Sequence, residues 1–255
     1  MASGRIGAAL AVVALAFLVA VGYGAALQNG YVWDDRFFLR DYRVVTGYAQ
    51  AWRAAFEPLF GLGGYVRPLP LFLLYVEGIL GGHQARLSHA VNLAIHLACA
   101  CLVYVLARRA TNHAMASSDS LSRWMLPLLM ASLFAIHPAL SEAVVWVASR
   151  FDLMATFFML LALCAWTSRL SAWPRALLVT LCFFLGALCK ESVVVLPVVL
   201  AIVSMVDRAA QAGKSGSSLD MAFARSDLLA YGLMFCAGLV YLALRFHVLS
   251  GAEGL

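Results

Sequence analysis

The chain has 255 residues, of which 64% are hydrophobic and 12% are charged, and its formal net charge is +5. Soluble domains contain roughly a quarter charged residues, so this composition excludes an ordinary soluble domain. The apolar runs are too long for the strands of a membrane barrel. We therefore expect an all-α integral membrane protein whose basic excess marks cytoplasmic loops rather than nucleic-acid binding.

Long apolar segments predict about seven transmembrane helices. The predicted spans are residues 6–27, 85–106, 124–136, 152–167, 176–189, 192–206 and 228–244. The first segment exceeds the apolar core of a signal peptide, so we expect it to remain as an uncleaved span. The chain as a whole is interpreted as a single module, residues 1–255, with no soluble repeat domain. We expect it to be the N-terminal fragment of a longer protein, or a minimal form of one.

Two external loops are expected to hold additional helices that lie in the membrane interface. In the first loop, residues 48–56 have the spacing of an amphipathic helix, and glycines at 61–64 break it. Residues 68–80 then form an apolar helix that is too short to span. In the second loop, residues 139–150 predict one short helix that presents Glu142, Trp146 and Ser149 on the same face.

The distribution of basic residues predicts the orientation. If Arg5 is cytoplasmic, the polar loop over residues 110–123 is cytoplasmic as well, and the whole net charge of +5 falls on that side. On the external side the numbers of basic and acidic residues are equal. The N-terminus is therefore expected in the cytoplasm, with the functional groups on the external or lumenal side. Because arginine greatly outnumbers lysine, a bacterial inner membrane is favoured, with the endoplasmic reticulum membrane expected for a eukaryotic source.

Two adjacent carboxylates, Asp34 and Asp35, follow the first span directly. A carboxylate there could deprotonate an alcohol that attacks a lipid-borne electrophile, with the other acid as an orienting group or metal ligand. The alternative is that both acids only cap a helix. The sequence does not separate the two acids as the base, and a divalent metal bound by this pair is left open.

Further polar groups cluster at the same predicted membrane edge. His89, Asn92 and His96 share one face of the second span, where they either line a cavity or fix helix packing, and packing is favoured for His96. The other candidates are His137, Glu142, Arg150, Asp152, Lys190, Glu191, Arg67 and Arg245. The alternative for these groups is a set of structural pairs, such as Glu142 with Arg150, and ordinary interface anchors. We expect the acids and cations to converge in one external cavity that accepts an anionic, amphipathic substrate.

Several short motifs, in order, resemble the GT-C fold glycosyltransferases. The motifs are Trp33-Asp34-Asp35, Arg67-Pro68-Leu69, Ser88-His89-Ala90-Val91-Asn92, His137-Pro138, Ser141-Glu142-Ala143-Val144, Arg150-Phe151-Asp152-Leu153 and Lys190-Glu191. The most similar branch is that of the transmembrane and tetratricopeptide-repeat O-mannosyltransferases and their bacterial relatives. The resemblance implies a polyprenyl- or dolichyl-phosphate-linked sugar donor and an inverting transfer to a hydroxyl of a protein Ser/Thr or a glycan.

The resulting hypothesis is an inverting glycosyltransferase of the membrane. Its catalytic residues are expected to be Asp34, Asp35, Glu142 and Asp152. Its substrate-binding residues are expected to be Arg67, His89, Asn92, His137, Arg150, Lys190, Glu191 and Arg245. The expected partners are the lipid-phosphate-linked sugar, a protein or glycan acceptor and the membrane, and no nucleic acid. The alternative is a transporter, flippase or scaffold subunit that binds a lipid phosphate without chemistry.

Overall fold

The computed structural model describes residues 2–39, 45–59, 65–114, 122–215 and 225–252. Within these ranges the backbone is mostly helical, with an isolated bridge between Leu59 and Tyr65. The α-helices, numbered α1 to α11 in chain order, are Ala2–Tyr23, Asp34–Leu39, Tyr48–Ala55, Pro68–Gly81, Ala85–Ala114, Ser122–Ala135, Ser141–Val145, Arg150–Trp166, Ala172–Ala187, Leu196–Ser215 and Arg225–Ala252. Short 3-10 helices cover Gly24–Gln28, Pro138–Leu140, Val147–Ser149 and Glu191–Val195. The predicted all-α class is confirmed.

In the described residues, five segments are long and apolar enough to cross a membrane. They are Ile6–Gln28, Ala85–Asn112, Val147–Trp166, Glu191–Ala212 and Asp227–Ser250. Trp124–Ala135 and Pro138–Val145 make a sixth span if this pair, bent by 46°, is taken as one. The remaining predicted span corresponds to α9, whose 16 residues reach about 24 Å, less than the hydrocarbon core of a bilayer. The expected count of seven is therefore not met by length alone.

Helix α5 is longer than the sequence pattern predicted. It runs from Ala85 to Ala114, through the point where a polar loop was expected to begin. Thr111 remains helical because its hydroxyl donates to the carbonyl of Ala107 at 3.0 Å, and Arg108 lies 4.3 Å from the ring centre of Trp124. Arg109 donates to Thr167 of α8 at 2.9 Å. These contacts extend the helix beyond its apolar core.

The second external loop differs from the single helix that was predicted for residues 139–150. Helix α7 ends at Val145, and Trp146 takes an extended conformation with φ −77° and ψ 122°. A 3-10 turn follows, and Arg150 already belongs to α8. Glu142, Trp146 and Ser149 therefore do not share a helix face. The break turns the Trp146 carbonyl toward the side-chain amide of Asn92, which donates to it at 3.2 Å.

The two helices predicted in the first external loop are present as α3 and α4. Helix α4 begins at Pro68 and ends before Gly82, whose φ of +60° is the left-handed conformation that glycine adopts without strain. Buried alanines of α3, among them Ala51 and Ala55, pack with Leu71 of α4. Helix α3 therefore lies on α4 rather than alone in the interface. The glycines at 61–64 lie outside the described residues, as do several of the residues that predicted the orientation.

Small residues allow the helices of the bundle to approach closely. Ala100 of α5 and Ala131 and Ala135 of α6 are fully buried against Leu15 of α1. Side chains of this size let backbones come together in a membrane, where dispersion contacts hold helices in place. The other half of the bundle forms where α8 and α9 pack with α11 around residues such as Met234.

His96 is part of this packing, as the sequence favoured. Its Nε2 lies 2.9 Å from the carbonyl oxygen of Ala135. Its ring stacks on Phe134 and meets Tyr23 edge-on, with ring centres 5.5 Å and 5.4 Å apart. The imidazole therefore joins α1, α5 and α6 by one polar bond and two aromatic contacts.

A fully buried guanidinium, that of Arg150, lies where α4, α5 and α8 meet. Its Nε donates to the Asn92 side-chain oxygen at 2.7 Å, and one terminal nitrogen donates to the carbonyl of Ser88 at 2.7 Å. The other terminal nitrogen forms a salt bridge with Glu77, which is 5% exposed. Because a buried charge is strongly unfavourable without a partner, this arrangement depends on every one of these contacts.

Replacing Arg150 with methionine tests this junction. We expect Arg150→Met to lower the free energy of unfolding by about 3–5 kcal/mol, because it leaves the Glu77 carboxylate buried without its cation. Thermal unfolding of the protein in detergent, followed by circular dichroism, measures the change. Arg53→Met at an exposed position of α3 is the matched control and should change stability by less than about 0.5 kcal/mol. Equal melting of the Arg150 variant and the wild type contradicts the expectation.

Candidate functional site

One end of the bundle gathers the predicted site residues. Helix α1 leads into this end, α5 and α8 start from it, and α9 and α11 finish at it. Contacts and a shared cavity lining connect these residues in two groups, and their convergence in a single cavity stays a prediction. One group contains Asp34, Asp35, His89 and Glu142. The other, which we call the basic cluster, consists of Arg67, Asp152, Lys190, Glu191 and Arg245.

Asp35 is a buried carboxylate whose two oxygens both accept backbone hydrogen bonds. The N–H of Ala148 donates to it at 2.7 Å, and the N–H of Val32 donates at 3.1 Å. The side chain is 1% exposed, and burial raises the pKa of its carboxyl against the opposing effect of these donors and of His89. Asp35 therefore links the loop after α1 to the second external loop.

Asp34 differs from Asp35 although the two are adjacent in the chain. Its side chain is half-buried, and it lies in the first turn of α2, where a negative charge is favourable. The residue before it, Trp33, has a φ of +46°, a left-handed conformation that costs a non-glycine residue about 1–2 kcal/mol. The turn at Trp33 directly precedes α2, whose first turn contains the half-buried Asp34 and the buried Asp35.

A cavity of about 500 Å³ opens between the loop after α1, the start of α5 and the second external loop. We call it the acid cavity. Its lining residues are Asn29, Gly30, Val32, His89, Ser141, Glu142, Val145 and Trp146. Glu142 is exposed at this cavity, whereas His89 is only 2% exposed. Trp33 meets Trp146 edge-on beside the cavity, with ring centres 5.8 Å apart.

In the basic cluster, one carboxylate lies between two arginines. Arg67 donates to one oxygen of Glu191 at 3.0 Å, and Arg245 donates to the other at 2.7 Å. The guanidinium of Arg67 lies 4.5 Å from the ring centre of Tyr65 and 5.2 Å from that of Phe151. Such stacking fixes an arginine in the orientation required for planar recognition of an anion.

A second ion pair completes the basic cluster. The ammonium of Lys190 lies 2.5 Å from a carboxylate oxygen of Asp152, and both side chains are partly exposed. Asp152 follows Phe151, the ring under Arg67, so the two sets of charges lie close to each other. Three cations and two carboxylates leave the basic cluster with one excess positive charge.

Three of the predicted substrate-binding residues belong to neither group and bind protein groups elsewhere. Arg150 and Asn92 are fully buried in the junction described above, so a direct contact with substrate stays a prediction for both. The ring of His137 caps the following turn, where its Nδ1 accepts from the N–H of Ala139 at 3.2 Å. The alternative in which Glu142 and Arg150 form a structural pair is not what the structure shows, because the partner of Arg150 is Glu77.

Glu77 is the important residue that the sequence analysis missed. It lies within the apolar helix α4, and an acid in such a run is itself a signal of a paired or functional group. Tyr31 and Ser88 were also missed, and their hydroxyls lie 3.2 Å apart beside the junction. Across the described ranges, no three His, Cys, Asp or Glu side chains come close enough together to hold a metal ion.

Comparison with known proteins gives two informative matches, whereas no family model and no solved structure matches this chain. Protein O-mannosyl-transferase Tmtc1 of Drosophila melanogaster is 30% identical over 190 residues, which are 71% of this chain and 21% of that protein. Protein O-mannosyl-transferase Tmtc2 of the same organism is 30% identical over 239 residues, 87% of this chain and 23% of that protein. The chain spans about a fifth of the length of these curated relatives. The predicted resemblance to this O-mannosyltransferase family is confirmed.

The different environments of Asp34 and Asp35 yield a test of folding. We expect Asp35→Asn to lower the free energy of unfolding by about 1–3 kcal/mol, because the new amide group offers only one acceptor to two buried N–H donors. Asp34→Asn is the matched control and should cost less than about 1 kcal/mol, since it removes only a favourable helix-end charge. Thermal unfolding in detergent measures both. A larger loss of stability in the Asp34 variant than in the Asp35 variant contradicts the structural role that we assign to Asp35.

Proposed function

We propose that this chain carries the catalytic membrane module of an inverting glycosyltransferase. The donor is a polyprenyl- or dolichyl-phosphate-linked sugar, and the acceptor is a hydroxyl group of a protein Ser/Thr or a glycan. The observation that carries the proposal is the pairing of a carboxylate-lined cavity and a basic cluster at one end of the bundle, in a chain that resembles two O-mannosyltransferases.

The basic cluster supports an anionic lipid as donor. A phosphodiester carries one negative charge, which matches the one excess positive charge of the cluster. The Nε–H of Arg67 is buried and has no hydrogen-bond partner among the described residues, so this arginine has a spare donor for a phosphate oxygen. Its terminal nitrogens and those of Arg245 are held in place by Glu191. In our proposal Arg67, Arg245 and Lys190 stabilise the phosphate as it leaves.

Asp34 is the base that we propose for the acceptor. Both oxygens of Asp35 are used by backbone N–H groups, so that carboxylate is held in a structural role. Asp34 is more exposed and does not take part in those bonds. It accepts the proton of the acceptor hydroxyl as the oxygen attacks the anomeric carbon and the bond from that carbon to the phosphate oxygen breaks. Attack from the face opposite the phosphate inverts the anomeric centre.

The buried junction has a positioning role in this proposal. Arg150 binds Asn92, and Asn92 donates to the carbonyls of Val144 and Trp146 at 3.3 Å and 3.2 Å. These bonds hold the segment that carries Glu142 and delivers the Ala148 N–H to Asp35. Arg150, Asn92 and Glu77 are thus positioning residues, whereas Glu142 and Asp152 face their two clusters and stay candidates for direct contact with substrate.

The proposed site lies on the non-cytoplasmic side of the membrane. The support comes from the excess of basic residues on the opposite side, where Arg108, Arg109, Arg169, Arg175 and Arg208 lie. We propose a bacterial inner membrane or an endoplasmic reticulum membrane as the location, with the donor on that side.

Replacing Asp34 with asparagine tests the proposed chemistry. Since general-base catalysis contributes about 10²–10⁴-fold, we expect Asp34→Asn to reduce sugar transfer by that factor without changing membrane insertion. The assay supplies purified protein with polyprenyl-phosphate mannose labelled in the sugar and a serine- and threonine-rich acceptor peptide, and it follows the movement of label from the lipid to the peptide. Asp207→Asn, an exposed acid at the other end of the bundle, is the matched control. Unchanged transfer in the Asp34 variant refutes the role, and binding of the lipid without label release by the wild type favours a non-catalytic binding protein.

A second test addresses the proposed phosphate site. Loss of one charge-assisted hydrogen bond is worth about 1.5–3 kcal/mol, so Arg67→Gln and Arg245→Gln should each raise the KM for the lipid-phosphate sugar about 10–100-fold. Arg169→Gln, an exposed arginine at the far end of α8, should leave KM unchanged. Initial rates over a range of donor concentrations separate KM from kcat. An equal KM in the wild type and the three variants contradicts the assignment of Arg67 and Arg245 to the phosphate site.

A further inference from the structure

The acid cavity contains polar atoms that lack partners within the protein. Both ring nitrogens of His89 are buried, and neither makes a hydrogen bond of full geometry, although backbone groups of Gly30 and Val145 approach the ring. The indole nitrogen of Trp146 is likewise buried without a partner among the described residues. Buried polar groups are satisfied in most native structures, and unsatisfied ones that share a cavity are typical of a site that awaits a ligand.

An aromatic surface lies next to the acid cavity, because Trp33 contacts the lining residue Trp146. The side chain of Trp33 is 79% exposed, although its edge-on contact with Trp146 fixes its position. Its left-handed backbone conformation is unfavourable for any residue other than glycine, and such strain concentrates at ligand sites. Most of this ring is therefore free to contact a ligand, and the contact with Trp146 holds it next to the cavity.

The chemistry of the lining selects the class of ligand. Glu142 and the side-chain oxygen of Asn29 accept hydrogen bonds, the Trp146 indole donates, and His89 and Ser141 do either. A phosphate is disfavoured because the lining contains a carboxylate and no arginine or lysine. An acyl chain would leave the buried nitrogens unpaired. A ligand with several hydroxyls and one apolar face satisfies all of these groups.

We propose that the acid cavity binds a pyranose ring, which stacks its C–H face on Trp33 and directs its hydroxyls to Glu142, His89 and the Trp146 indole N–H. This inference rests on the proposed function, because the pyranose is the sugar that the lipid phosphate carries. It adds a sugar subsite separate from the basic cluster. The two clusters thereby divide the donor, with the sugar in the acid cavity and the phosphate among the cations.

Trp33→Gly is a sharp test because it separates binding from folding. Glycine fits the left-handed backbone, so we expect the melting temperature of this variant to stay at or above that of the wild type. Methyl α-mannopyranoside, titrated against the intact protein in detergent and detected by saturation-transfer difference NMR, is the probe. Loss of one aromatic stacking contact should weaken its binding about 5–10-fold. Trp173→Gly, at a 61% exposed tryptophan in the first turn of α9, should leave binding unchanged.

Trp146→Phe is the second variant, which keeps an aromatic ring but removes the indole N–H, and it should also weaken binding. Equal binding of the probe by wild type, Trp33→Gly and Trp146→Phe overturns the inference, as does the absence of binding in a protein that transfers sugar. If the two variants bind a serine- and threonine-rich peptide more weakly than the wild type does but bind the probe equally well, the cavity belongs to the acceptor. This result also overturns the inference. Probe binding that depends on Trp33 in a protein without transfer activity keeps the sugar subsite and refutes the proposed function instead.

Discussion

The salt bridge between Arg150 and Glu77, buried where α4, α5 and α8 meet, is the interaction on which the rest of the structure depends. Neither charge has access to water, so each is stable only while the other is present. Asn92 and the carbonyl of Ser88 accept two further hydrogen bonds from the guanidinium, and the short helix α4 is thereby held against two longer helices. A network of this kind specifies one arrangement of the helices, because any shift leaves a charge or a polar group unpaired in an apolar region.

The position of Arg150 in the chain explains how this junction shapes the site. The segment just before it carries Glu142, Trp146 and the Ala148 N–H, and this segment forms one wall of the acid cavity and the partner of Asp35. The residues just after it, Phe151 and Asp152, reach the basic cluster through Arg67 and Lys190. One buried residue thus fixes the two flanking segments, of which one lines the acid cavity and the other contributes to the basic cluster.

Much of this arrangement was accessible from the sequence, because the bilayer imposes strong rules on composition. The long apolar runs predicted the helices that cross the membrane, and the first loop's amphipathic and apolar patterns predicted α3 and α4. The motifs also identified the family that the chain resembles and placed Asp34, Arg67, Glu142 and Lys190 at the same end of the bundle. One error came from local reasoning, because the second external loop was predicted as one helix. The alternative that pairs Arg150 with Glu142, which are neighbours in the chain, also fails against the partner that the structure shows.

The sequence by itself therefore determined the class of the protein, the order of its helices and the set of polar residues that lie at one membrane edge, since hydropathy and residue order are local properties. The tertiary structure decided the partners: Glu77 for Arg150, Glu191 for both Arg67 and Arg245, and two backbone N–H groups for Asp35. It also decided that the backbone is extended at Trp146 and which polar groups contact one another. The physical reason is that most of these choices depend on hydrogen bonds between segments more than 50 residues apart in the chain, and no local pattern records which distant group completes a buried charge.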